Sequence, residues 1–373
     1  MRFFENVVKV YRYVKIYGLT RTLVKVLGRL RPQIKLWLFL KFPYYSSNGL
    51  RVGIIGCGHH AYSSICFFLT TSTTAQIIFG LDVDRKASSS LAYAYNALDA
   101  GSDYDCENNC MNNPDIVYIS SNHATHTKYA IDFLRRGCDV YIEKPISINS
   151  RELKELKTVI SETNGKVYAG YNRPHSPAIK AIRENVAGKV SPFTLSCFVT
   201  GHYLPNDHWY RSPKEGTRIV ANLSHWIDLS IHMLHWRKDL PVFLDVSIAY
   251  SDIDTPSDNI AVSIVTSKSD LINLTFTSRS EPFEGVNESI NFQQGDVIAK
   301  IDDFRQTQIW AGAKYRKSSY WTKNNGHKAA VMQPLDSEFR RSWAELELST
   351  VVMLFVEEMV KSGVREKRLD LAH

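Results

Sequence analysis

Residues 140–147, VYIEKPIS, place two charges and a proline directly after an apolar run. Val140, Tyr141 and Ile142 have the character of a buried strand end, and Lys144 stands at its mouth. An ammonium there loses hydration unless a partner wants its charge. A hydroxyl being oxidised is such a partner. A neighbouring cation stabilises its developing alkoxide character while hydride leaves the carbon. The plain alternative is a lysine that snorkels to solvent.

A second constellation supports the first. Gly56-Cys57-Gly58-His59-His60-Ala61 is a G-x-G-x-x-A. The first glycine allows a tight strand-to-helix turn, and the second lets a pyrophosphate approach the backbone at a helix N-terminus. Asp82 follows 24 residues after Gly58, where a carboxylate holds a ribose 2′-hydroxyl and repels a 2′-phosphate. That favours NAD, with NADP the alternative because Arg85 is close by. His59 and His60 cannot both face one site from a helix start. One lines the cofactor groove and the other faces solvent.

His225, in RIVANLSHWIDLSIHML, suits an acid or base near neutral pH. Asp228 lies one helical turn on as a support, and His232 and His235 fit packing or surface roles. Asn172 and Arg173, in GYNRP, offer an amide and a planar cationic fork for a phosphate, carboxylate or sugar hydroxyls. His208 and Trp209, in GHYLPNDHWYRSP, suit a sugar pocket or a turn with a buried indole. Cys106 and Cys110 form a lone C-x-x-x-C with no second ligand pair, so no metal site is expected. The six scattered cysteines read as reduced cytoplasmic thiols.

These residues require a scaffold. Apolar runs at 50–55, 76–82, 116–120, 139–143 and 166–171 alternate with helical segments, as in a parallel sheet covered on both faces. Asp84 and Asn149 are expected helix caps, and Gly137 and Gly165 expected stops. After a helix over 174–187, short β-branched stretches at 193–201, 242–250, 259–267, 270–278, 287–293, 296–302 and 306–311 suggest a largely antiparallel sheet. Helices near 213–235 and 337–362 accompany it. The expectation is an α/β Rossmann domain over 49–171 and an α+β domain with an open-faced sheet over 172–373.

GIIGCGHHA, SNHATHTKYAIDFLRRGCDVYIEKPIS, GYNRP and the histidine of NLSHWIDL together resemble the Gfo/Idh/MocA oxidoreductases (glucose–fructose oxidoreductase, inositol dehydrogenase, rhizopine catabolism). The likeness runs over about residues 50–235. It implies a pyranose, cyclitol or nucleotide-sugar substrate, with Lys144 reaching the nicotinamide and the reacting hydroxyl and a Lys-Pro bond that is often cis. It also implies that Glu143 fixes local geometry or approaches the cofactor. Asn122 and His126 match the family's Asn-x-x-x-His, placing Asn122 near the ribose or nicotinamide edge; His126 belongs to the cofactor site or buttresses the turn. The sequence departs from the family at Ser121, where proline is usual. It departs again at Ala221, where an acid usually stands four residues before the histidine, and neighbouring Asn222 cannot relay a proton.

The charge is unevenly spread. Residues 1–48 hold ten Lys/Arg and one acid, Glu5, a net +9, whereas the other 325 residues net −2. The basic character therefore gives the main body no nucleic-acid footprint. Residues 1–48 form a basic amphipathic arm with apolar positions at helical spacing. Leu36–Leu40 is its longest apolar run, far short of the roughly 20 residues of a spanning helix. Two readings fit the arm: an element lying on a membrane surface, or helices packed on the body or a second subunit. A homo-oligomer is expected from the resemblance. Three functions remain open: NAD(P)-dependent oxidation or reduction of a sugar, an NAD-using glycosidase-type reaction, and a non-catalytic regulatory homologue.

Overall fold

The computed structural model describes residues 2–40, 49–101, 114–237, 239–280 and 285–371; Cys106 and Cys110 lie outside them. The N-terminal stretch is helical, with α1 (Arg2–Tyr17), α2 (Leu19–Leu30) and a short α3 (Leu36–Phe39). Gly18, at φ 80°, separates α1 from α2, and Arg31, at φ 54°, ends α2 in the left-handed conformation directly before Pro32.

The five alternating apolar runs form β1 (Arg51–Ile55), β2 (Gln76–Leu81), β4 (Ile116–Ile119), β5 (Asp139–Ile142) and β6 (Val167–Ala169), joined by a sixth strand outside those runs, β3 (Leu98–Gly101). They pair in parallel in the order β3-β2-β1-β4-β5-β6. The order reverses between β1 and β4, the switch point outside which ligands bind in doubly wound sheets. The helices are α4 (Cys66–Ser72), entered through a π-turn at Ala61–Ile65, α5 (Arg85–Tyr95), α6 (His123–Arg135) and α7 (Ser150–Glu162). Asp84 and Asn149 cap α5 and α7, their side chains accepting the N–H of Lys86 and Glu152. Strand β4 is buried throughout and β1 and β5 at all but their first residue, which explains their unbroken apolar runs.

The second sheet begins after α8 (Pro177–Val186) with β7 (Phe193–Thr200). The helix expected near 213–235 resolves into a 3-10 turn, a π-turn at Ile219–Leu223 and α9 (Ser224–Leu234). Then follow β8 (Phe243–Tyr250), β9 (Asn259–Thr266), β10 (Leu271–Thr277), β11 (Asn287–Gln294), β12 (Val297–Asp302), β13 (Gln306–Ala311) and β14 (Lys314–Ser319). Short α10 (His327–Val331), long α11 (Trp343–Ser362) and β15 (Glu366–Asp370) complete the chain. The sheet runs β14-β13-β12-β11-β7-β10-β9-β8-β15 and is antiparallel except for the β7–β10 pair. Burial alternates along β7 and β11, as in a sheet with one covered and one open face.

The chain divides into two compact units. One holds Gly18–Gly170 together with His327–Trp343; the other holds the stretch up to Tyr17, Tyr171–Gly326 and the residues from Ala344 onward. The arm is therefore not one element, since α1 goes with the sheet unit and α2 and α3 with the nucleotide-fold unit. Nor is residue 171 a simple boundary. Val24 of α2, Leu36 of α3 and Val331 of α10 are all buried in one core with Tyr62, Ile65 and Tyr118.

Candidate functional site

The glycine loop is built by close approach. Gly56, at φ 81°, donates its N–H to Leu81 O at 2.9 Å, and a Cβ there would lie 2.4 Å from Ser121 N. Only glycine fits. Gly58 differs, because a Cβ there would meet no atom within 4 Å. Protein packing does not demand that glycine, whereas a ligand pressed on the backbone would. The residues present thus fit a dinucleotide. Asp82 accepts from Cys57 N at 2.7 Å and from Asp84 N at 2.8 Å, so its carboxylate is fixed beside the loop.

The two histidines divide their work in an unexpected way. His59 points to α2, its Nε2 donating to Lys25 O at 3.0 Å. Burial drops its pKa to about 4, so the ring is neutral. His59 is thus an anchor for α2 and not a lining of the cofactor groove. His60 turns the other way, with Nε2 3.0 Å from Glu143 Oε1, and the His327 ring lies 5.9 Å away. Nothing in the residue types singled out His327, which arrives late in the chain after Gly326.

Glu143 and Lys144 follow β5 directly, and the Lys144–Pro145 peptide is cis. Glu143 accepts from Tyr141 Oη at 3.2 Å as well as pairing with His60. Its carboxyl lies flat on Gly170, where a Cβ would be 2.5 Å from Oε2. Burial raises the Glu143 pKa, but the charge and hydrogen bond of His60, then Lys144, bring it below the ordinary value. A fixed anion therefore stands next to Lys144, at the carboxyl edge of a parallel sheet.

His126 is buried, its Nδ1 2.8 Å from Pro145 O and its Nε2 3.0 Å from Ser121 O. Burial lowers its pKa. It ties the Lys144–Pro145 turn to the end of β4, so of its two readings the structure takes the buttress. Asn122 is exposed at the N-cap of α6 without a side-chain capping bond.

In the sheet unit His225 opens α9 and meets the Tyr171 ring edge-on at 6.0 Å. Asp228, one turn on, is fully buried. Asn222 Oδ1 accepts from Arg218 Nε at 3.1 Å, and Ala221 is buried. Asn172 and Arg173 do not await a ligand. Arg173 is buried in a bidentate pair with Glu288, Nε to Oε2 at 3.1 Å and Nη2 to Oε1 at 2.9 Å. Glu288 also accepts from Trp226 Nε1, and Asn172 donates to Asn325 O at 2.6 Å. A planar fork serves a buried carboxylate as well as a soluble anion. His208 caps a 3-10 turn by accepting from Tyr210 N, with Trp209 stacked on it and exposed. The indole is thus on an accessible aromatic loop.

Residues 50–171 match the sequence model of the Gfo/Idh/MocA family, described as "Oxidoreductase family, NAD-binding Rossmann fold". The match covers the nucleotide-fold region and leaves the second sheet outside it. Over 192 residues the chain is 28% identical to Oxidoreductase P35 of Formosa agariphila, covering 48% of this chain and 59% of that protein. Over 162 residues it is 26% identical to inositol 2-dehydrogenase of Rhizobium meliloti, covering 39% and 44%. The chain thus spans about half the length of these curated relatives. Solved structures share the two-domain fold. GenD2 from gentamicin A biosynthesis, in complex with NAD, superposes with a TM-score of 0.69 at 16% identity, covering 89% of this chain and 99% of that one. A myo-inositol dehydrogenase from Corynebacterium glutamicum gives 0.65 at 18% identity, covering 87% and 100%.

Proposed function

We propose that this chain is an NAD-dependent oxidoreductase that transfers hydride between nicotinamide and a CH–OH carbon of a sugar, cyclitol or nucleotide sugar. The observation that carries the reading is Lys144 at the carboxyl end of β5, beside a carboxylate held by the helix start of the glycine motif. Likeness to inositol 2-dehydrogenase supports the same substrate class. Asp82 supports NAD over NADP, because a 2′-phosphate would meet its charge.

Bound NAD supplies the hydride acceptor, and its reduced form the donor. The chain's own residues do the rest. The Lys144 ammonium donates to the substrate oxygen and stabilises the negative charge that develops there. Glu143 places a fixed carboxylate next to that side chain. His225 takes the hydroxyl proton in oxidation and returns it in reduction. Ala221 and Asn222 supply no acid at the usual position, which leaves Asp228, one turn on, as the carboxylate that supports His225.

The test pairs cofactor binding with turnover. NADH fluorescence should report binding by the wild-type chain, and a panel of cyclitols and sugar nucleotides should reveal turnover. Lys144→Ala should lower kcat/KM about 100-fold or more with NADH affinity nearly unchanged. No NADH binding by the wild type would overturn the cofactor reading, and wild-type rates in the variant would remove Lys144 from the chemistry. One observation favours a second reading, a non-catalytic NAD-binding homologue. Asn222 stands near the usual acid position and is spent on Arg218. Tight NADH binding with no turnover on any substrate would select it.

A further inference from the structure

An amphipathic helix in a folded unit turns its leucines to the core. Helix α2 packs Leu27 against the core but turns its other three leucines outward. Leu19, Leu23 and Leu30 fall on one line of the helix and are 72%, 53% and 67% exposed. Val24 and Gly28, on the far side, are buried, as is Thr22. Gly28 makes this possible: a Cβ there would come 2.9 Å from Tyr62 Cδ1, so only glycine lets α2 settle on the π-turn. His59 at Lys25 O and Arg31 at Cys57 O, 2.7 Å, hold the helix in that orientation. Leu38 in α3 and Val7, Val10 and Tyr11 on α1 are exposed too.

Charge identifies what this face meets. Residues 1–48 carry a net +9 against −2 for the rest of the chain. On α2 Arg29 is exposed and Arg21 and Lys25 are half-buried, and Lys35 beyond it is exposed. An exposed leucine line on so basic a segment matches an acyl boundary beneath anionic headgroups, where each cation near the surface contributes about 1 kcal/mol. A second copy of the chain would bring two such cationic arms together, and like charges across a contact disfavour it. No helix among the described residues is long and apolar enough to cross a membrane, so the contact lies in the plane of the interface.

We propose that the outward face of α2 docks this protein on an anionic membrane surface. The inference is independent of the reaction assigned above. The experiment uses the full chain and phosphatidylcholine vesicles with and without phosphatidylglycerol, with bound protein read by co-sedimentation. Binding should require phosphatidylglycerol and weaken as salt rises. Leu19→Ser, Leu23→Ser and Leu30→Ser together should weaken it at least about 10-fold, while Tm and NADH affinity hold, because these side chains are exposed. An intact chain that stays in the supernatant overturns the proposal, as does binding that the triple variant does not alter. So does light scattering that shows a dimer turned to monomer by the three substitutions without vesicle binding, which would make a second copy the occupant.

Discussion

At the scale of single residues, two glycines separated by one residue carry different burdens. Gly56→Ala must fit a Cβ against Ser121 N at positive φ, so it should destabilise the fold by about 2 kcal/mol or more. Gly58→Ala finds open space and an ordinary φ; Tm should hold while the Kd for NADH rises about 10-fold or more. Thermal melts and NADH titration of the two variants check both outcomes, and equal behaviour would contradict the division of roles. The residues of the glycine loop, Asp82 and Lys144 were legible because each sits where a strand ends, and a strand end is visible as an apolar run. Asn172 and Arg173 were misread for the converse reason. Residue type names the fork but not its carboxylate, and Glu288 lies 115 positions away.

At the scale of elements, the unexpected feature is the joint between α2 and the helix start after the glycine loop. His59 stands at its centre and makes it pH-sensitive. In the unfolded chain this ring takes up a proton as pH falls through about 6.5, but in the folded chain only near 4. Its contribution to stability is complete above the unfolded value and is lost as pH falls across that window. His59→Gln keeps a donor for Lys25 O and removes the titration. Its Tm should decline less steeply than the wild type's between about pH 6.5 and 4; parallel curves would exclude this role. The periodicities that revealed most strands failed at three edge strands, β3, LDAG, β14, KYRKSS, and β15, EKRLD. The last two are exposed at most positions, and an edge carries charge in place of an apolar rhythm. The π-turns at 61–65 and 219–223 left no mark on the sequence either. Each shifts the side-chain faces of the helix it opens, next to the glycine loop in one case and to His225 in the other.

At the scale of the molecule, the nucleotide-fold unit is assembled from distant pieces of chain. Tyr118 Oη donates to Val331 O at 2.8 Å, and Gln333 donates to Ala169 O at 2.8 Å. Residues 49–171, the span that a linear reading assigns to this domain, lack those partners and also Val24 and Leu36. Expressed alone, that span should show no cooperative melt by circular dichroism, whereas the full chain should. A sharp transition in the fragment would show that the added pieces are ornament.

The interrupted assembly also bears on heredity. A gene segment that ends with β6 and the turn after it is not a cassette that shuffling could move intact to another protein. It would arrive without the late return and without the early helix that steadies its phosphate loop, so change in this protein proceeds by substitution within the whole.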